Sequence, residues 1–121
     1  MRKKIWSSAT ADRKIREFVF KRDGYKCVFC KRSREQEWKI EPSHYWGRAD
    51  SALRYEPDNI DTLCAKCHMD HEPNKQGFYR EWKIKQLGIV RYEEMERIHY
   101  RERIPRREAI IRCMEFLTTK T

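Results

Sequence analysis

With 121 residues, 39% of them charged and 39% apolar, the chain has material for one small core and not for a second independent domain. No stretch approaches the ~20 apolar residues of a membrane span, and the basic start Met1-Arg2-Lys3-Lys4 lacks the apolar run of an export signal. A cytoplasmic protein with no membrane partner is therefore expected, and the net charge of +9, from 28 Lys and Arg against 19 Asp and Glu, is the profile of a chain that meets nucleic acid.

Residues 1–22 read as a basic arm and helix. Ile15, Phe18 and Val19 recur at helical spacing, and Asp23-Gly24 supplies the turn that ends the helix. The pair Cys27-Val28-Phe29-Cys30 follows, and farther on comes Cys64-Ala65-Lys66-Cys67. Each pair places two thiolates about one turn apart, at two corners of a tetrahedron around one Zn2+. Disulfides or scattered core thiols are the alternative, and paired spacing in a chain without an export signal favours zinc. A structural zinc would help so polar a chain to fold, because such sites contribute an apparent ~10–16 kcal/mol in small peptides.

The 33 residues from 31 to 63 exceed the roughly 15–20 of a plain two-pair zinc module, so a hairpin has to fit between the knuckles. Trp38, Ile40 and Tyr45 mark short extended segments over residues 37–45, with Pro42 limiting the regularity of their pairing. Residues 46–58 read as the long loop of that hairpin. Thr62-Leu63-Cys64 then leads into the second knuckle and a short helix over 66–72, stopped by Pro73-Asn74. Phe78 and Trp82 at i,i+4, with Leu87 and a capping Gly88, predict another helix.

Beyond Gly88 the pattern is helical. Tyr92, Met95 and Ile98 form one apolar stripe, Pro105 interrupts, and Ile110, Cys113, Met114 and Leu117 form a second. The two stripes are expected to pack as a helical hairpin on the zinc module, with a second copy of the chain as the alternative occupant. Cys113 reads as a small core hydrophobe. Basic residues interleave with aromatics, as in Tyr45, Trp46 and Arg48, then Arg54 and Tyr55, then Tyr79, Arg80 and Trp82. Such a surface stacks bases and clamps phosphates, although plain surface charge also accounts for Arg48 and Arg54.

His44 lies between the knuckles, Pro57-Asp58-Asn59 follows, and His68 comes directly after the last cysteine. With this order of Cys27, Cys30, His44, Asn59, Cys64, Cys67 and His68, the chain resembles the HNH, or ββα-metal, endonucleases with a four-cysteine zinc site. The resemblance covers roughly residues 23–88, and its segment SHYWGRADSALRYEPDNIDTLCAKCHMDH is similar to small phage HNH proteins of the NinG/Rap type. It implies an α+β fold: a zinc-stapled ββα-metal (HNH, His-Me finger) core over 23–88, preceded by the N-terminal helix and followed by a helical extension over 89–121. It also implies a metal-dependent DNA endonuclease that hydrolyses phosphodiester bonds, a phage nicking or branched-DNA nuclease. Its cofactors would be structural Zn2+ and catalytic Mg2+ or Mn2+; its partners would be DNA and either a second copy or phage DNA-processing proteins.

By the same resemblance His44 is the general base, Asn59 holds the loop and steers that base, and His68 is a ligand of the catalytic metal. An imidazole with an ordinary pKa near 6.5 accepts a proton around neutral pH, which suits the task. One position departs from the family. Ser43 stands where an Asp or His usually supplies a second ligand, and a neutral hydroxyl is a poor one. His71, three residues after His68 and with Glu72 behind it, is the better substitute; Glu41 shares the face of Ser43 in a regular strand. The bland alternatives are a structural His44, a solvated face or an added zinc ligand for His68 and His71, and a simple turn at Asn59. The alternative function is a non-catalytic zinc-knuckle module that binds DNA or RNA, in which Ser43 marks a lost metal site.

Overall fold

The computed structural model describes residues 4–33 and 39–120. Trp38, expected in the first extended segment, lies outside the described residues. Helix α1, Ser8–Arg22, begins where Ser7 Oγ accepts the Thr10 N–H at 3.1 Å. It ends at Asp23, and Gly24 then turns the chain away with φ +67. Its buried stripe is Ala11, Ile15 and Val19.

Strands β1, Ile40–His44, and β2, Ile60–Cys64, form a two-stranded antiparallel sheet, in register from Ile40 opposite Cys64 to His44 opposite Ile60. Pro42 leaves the pairing regular, contrary to expectation, and the reason lies opposite it. The Thr62 N–H donates to Asp23 Oδ2 at 3.1 Å and the Thr62 carbonyl accepts the Val28 N–H at 2.9 Å. Pro42 therefore has no ladder bond to lose.

The segment expected to be a long loop carries two short helical turns. Asp50 caps α2, Ser51–Arg54, by accepting the Ala52 N–H at 3.0 Å, and Glu56 opens a 3-10 turn over Pro57–Asn59. Helix α3, Ala65–His71, runs on directly from β2 with Cys64 as its cap. The helix expected to include Phe78 starts only at Arg80. Gly77 takes φ −93 and ψ −122, outside the helical range, so Lys75–Tyr79 is an irregular turn before α4, Arg80–Leu87. Gly88, at φ +84, donates to the Ile84 carbonyl at 2.8 Å and redirects the chain into α5, Ile89–Arg101; α6, Arg106–Thr119, follows Pro105.

Residues of β2 enter two apolar clusters. One gathers Cys27, Tyr45, Trp46, Leu53, Leu63, Cys64 and Tyr79 with Tyr92 and Met95 of α5. The other joins Ala11, Ile15 and Val19 of α1 to Tyr55, Ile60 and the Ala109, Ile110 and Cys113 stripe of α6. The last two helices are thus not one hairpin on the zinc module: α5 packs on the knuckle side and α6 on α1. Cys113 is buried in that second cluster, and burial raises its thiol pKa to about 11. Among the described residues no helix is long and apolar enough to cross a membrane.

Candidate functional site

The sulfurs of Cys27, Cys30, Cys64 and Cys67 all lie within 4.8 Å of one another, and all four are free thiols. The same turn occurs twice. The Cys30 N–H points at Cys27 Sγ from 3.5 Å, and the Cys67 N–H points at Cys64 Sγ from 3.4 Å. Burial and the neighbouring sulfurs push the Cys67 thiol up, and Cys30 in the same direction. At Cys27 burial is outweighed by backbone N–H groups of Cys30, Cys64 and Phe29, which hold its pKa down. Four thiolates this close repel one another unless a cation lies between them, so the set is positioned to bind a metal ion and is consistent with closed, structural zinc.

Beside this cluster, α1, β1 and α3 enclose a cleft of about 300 Å³. Asp12, Ile15 and Arg16 come from α1, Pro42 and His44 from β1, Gly47 and Arg48 from the following loop, Ile60 from β2, and His68 and Glu72 from α3 and its end. His44 and His68 therefore share one cavity. His44 Nε2 is 2.9 Å from the Arg54 carbonyl. A carbonyl only accepts, so Nε2 carries the proton and the Nδ1 lone pair is left available. Burial, reinforced by the Arg48 guanidinium, lowers the His44 pKa to about 4 against the raising effect of the Arg54 carbonyl.

Asn59 is fully buried and braces that arrangement. Its Oδ1 accepts the Trp46 N–H at 2.8 Å, while Nδ2 donates to the carbonyls of Trp46 at 2.9 Å and Leu53 at 3.0 Å. These bonds close the loop whose Arg54 carbonyl holds the His44 ring. Lys75 Nζ donates to the His44 carbonyl at 2.9 Å and secures the strand end from the other side.

The His68 ring is bracketed by carboxylates, with Nδ1 at 2.9 Å from Glu41 Oε1 and Nε2 at 2.8 Å from Glu72 Oε2. The hydrogen bond to His68 holds the Glu41 carboxyl below its usual range. Ser43 is fully buried, with its Oγ 3.2 Å from the Tyr79 hydroxyl, and does not line the cleft. His71 is not brought to the cleft either. Its ring packs edge-on against Phe29 at 5.1 Å and tilted over Phe78 at 5.0 Å. Glu72 and Glu41, rather than His71, are the groups beside His68.

Tyr45 and Trp46, expected to form a nucleic-acid face, require correction: they are 4% and 7% exposed and belong to the core. The Tyr45 hydroxyl meets that of Tyr92 at 2.8 Å, and the Trp46 ring packs against Tyr45 and Tyr92. Neither can stack on a base. Arg54 is engaged by Asp12 through two bonds, of 3.0 and 2.6 Å, whereas Arg48 makes one bond of 2.9 Å to Asp12 and stays largely exposed at the cleft.

A buried polar network was absent from the sequence reading. Asp61 accepts both hydrogen bonds of Lys83 Nζ, at 3.0 and 2.9 Å, and the Tyr79 hydroxyl at 2.7 Å, with Lys83, Tyr79 and Asp61 all buried. A signal did exist: Lys83 stands at i+4 from Tyr79 and four before Leu87, on the apolar stripe of α4.

These features define a class, a small α+β protein with a two-stranded sheet and a four-cysteine metal-type cluster. The family model described as bacteriophage Lambda NinG protein matches residues 2–120, and the chain belongs to that family. No curated protein and no solved structure matches it.

Proposed function

We propose that the protein is a metal-dependent DNA endonuclease of the HNH type, a phage nicking or branched-DNA nuclease. The observation that carries this reading is that His44 and His68 line one cleft, with the Nε2 proton of His44 bound to a carbonyl and its Nδ1 free to act as base. The order β1, β2, α3 beside a four-cysteine cluster supports the ββα-metal core. A net charge of +9 suits a polyanionic substrate.

His44 Nδ1 would take the proton of the attacking water as its oxygen closes on phosphorus, and a neutral ring is ready for that step at physiological pH. Asn59 and the Arg54 carbonyl hold the imidazole in place for it. The carboxylate is a donor suited to Mg2+ or Mn2+, and the imidazole beside it is a softer donor that favours the transition ion; either metal would supply stabilisation of charge at the phosphate and leaving oxygen. His68 with Glu72 would hold that ion, because Glu72 lines the cleft, whereas Glu41 lies on the other ring nitrogen. The zinc cluster, with four sulfurs and no open position, would serve to keep β1 and α3 at a fixed separation.

Plasmid cleavage in Mg2+ or Mn2+ tests the reading: the parent should nick or linearise, and His44→Ala should lose roughly 10²–10⁴-fold in rate. Equal cutting by the variant would refute the mechanism. The burial of Ser43 away from the cleft favours a second reading, a zinc-knuckle DNA- or RNA-binding module without catalysis. That protein would bind nucleic acid in a salt-dependent manner and would not cut it whichever divalent ion is added.

A further inference from the structure

Asp12 and Arg16 lie one turn apart on α1, and both line the cleft that holds His44 and His68. At i,i+4 they would ordinarily pair. Asp12 is taken instead by two cations from the β1–β2 loop: Arg54 occupies both of its oxygens, and Arg48 shares Oδ2. Burial would raise the Asp12 pKa, but the Arg54 and Arg48 guanidiniums together hold it below its ordinary value. The second carboxylate of the cleft, Glu72, faces His68 at 2.8 Å. Arg16 is exposed, and among the described residues no hydrogen bond, ion pair or ring contact engages its guanidinium.

A concave site thus contains an unengaged guanidinium, a second one held by a single bond, and no carboxylate without a partner. Two like charges in one cavity repel, and that repulsion is relieved when an anion enters. The planar guanidinium offers paired N–H donors whose spacing matches two oxygens of a phosphate. We propose that Arg16, a residue outside the cysteine-bounded motif, binds a backbone phosphate of the nucleic-acid strand in this cleft, with Arg48 as the second cation. The identity of the anion rests on the nucleic-acid binding that both readings above share; the location rests on the charge arrangement alone. The N-terminal helix would then be a binding element, presenting its Asp12–Arg16 face to the strand.

The test uses the full-length, zinc-loaded chain without added Mg2+ or Mn2+, so that a labelled DNA duplex is bound and not cut, across a series of salt concentrations. Arg16→Gln should weaken binding several-fold and reduce the slope of log affinity against log salt by about 0.9, the share of one phosphate. Arg16→Lys should keep the slope and lose part of the affinity, because the charge remains and the paired donors do not. Arg112→Gln, on α6 and ion-paired with Glu108, should behave as the parent. An Arg16→Gln slope equal to that of a parent that does bind overturns the proposal. A parent that shows no salt-dependent binding overturns both this inference and the nucleic-acid reading. A parent that binds here but leaves plasmid uncut in the separate Mg2+ or Mn2+ assay, with the slope change intact, removes the nuclease reading and leaves Arg16 as a phosphate contact.

Discussion

His44 gives the fold a pH dependence with a definite sign. Its folded pKa is about 4 against an unfolded value near 6.5. Above pH 6.5 the ring is neutral in both states and contributes no difference. Between 6.5 and 4 the unfolded chain takes up a proton that the folded one refuses, so stability falls as pH is lowered through that window, by up to about 3 kcal/mol. Denaturant titrations of the parent and His44→Gln at pH 7 and 4.5 check this, and the difference between the two proteins cancels the acid response of the cysteines. Equal losses for both would mean that the imidazole is not held neutral by burial. At this scale the convergence of the four cysteines was legible from their order along the chain, and the same order placed His44 near His68 and Asn59 in the loop beside them without establishing their roles. The choice between His71 and Glu72 was not, because both lie within about one helical turn of His68, and what separates them is Phe29 from the first knuckle, whose ring takes His71. The role of Ser43 was equally hidden, since its partner Tyr79 is brought in by a turn 36 residues later.

Between elements, the Lys83–Asp61 pair with the Tyr79 hydroxyl fastens α4 and the turn before it to β2, directly opposite the Ser43 position of β1. Burial raises the Asp61 pKa and lowers that of Lys83, and each charge is tolerated because the other is within 3.0 Å. Lys83→Met leaves the Asp61 carboxylate buried with the Tyr79 hydroxyl and, as its remaining cation, Arg22 at 4.0 Å, and should destabilise the fold by about 3–5 kcal/mol. Asp61→Asn combined with Lys83→Met should recover part of that loss, which unfolding midpoints of the three proteins would show. A double variant no better than Lys83→Met would mean that packing and not charge compensation governs the site. The elements themselves were readable where periodicity is strong, as in α1, α3 and the tail helices. They were misread where a neighbour decides: Gly77 breaks the helix expected through Phe78, and Thr62 makes Pro42 harmless by bonding elsewhere. The aromatic run at Tyr45 and Trp46 looked like a binding face because aromatics next to arginines signal both surfaces and cores, and only the position of α5 distinguishes the two.

For the whole molecule the decisive feature is the four-cysteine cluster, positioned to bind a metal ion. An apparent contribution of ~10–16 kcal/mol from a structural zinc is as large as the ~5–15 kcal/mol net stability of ordinary domains, so the chain without its ion is expected to be unfolded. Elemental analysis should find one zinc per chain, and a strong chelator should abolish the cooperative thermal transition, with Cys30→Ser behaving likewise. A chelated protein that still melts cooperatively at the parent temperature would remove the staple from the account. Yet the ion does not reach everything. Asp12 grips Arg54, and the carbonyl of that same Arg54 orients His44, so the N-terminal helix steadies the His44 imidazole through a single residue of the intervening loop. Grafting the cysteine-bounded stretch alone onto another scaffold would carry the metal along and leave the imidazole loose, wetter and closer to ordinary basicity.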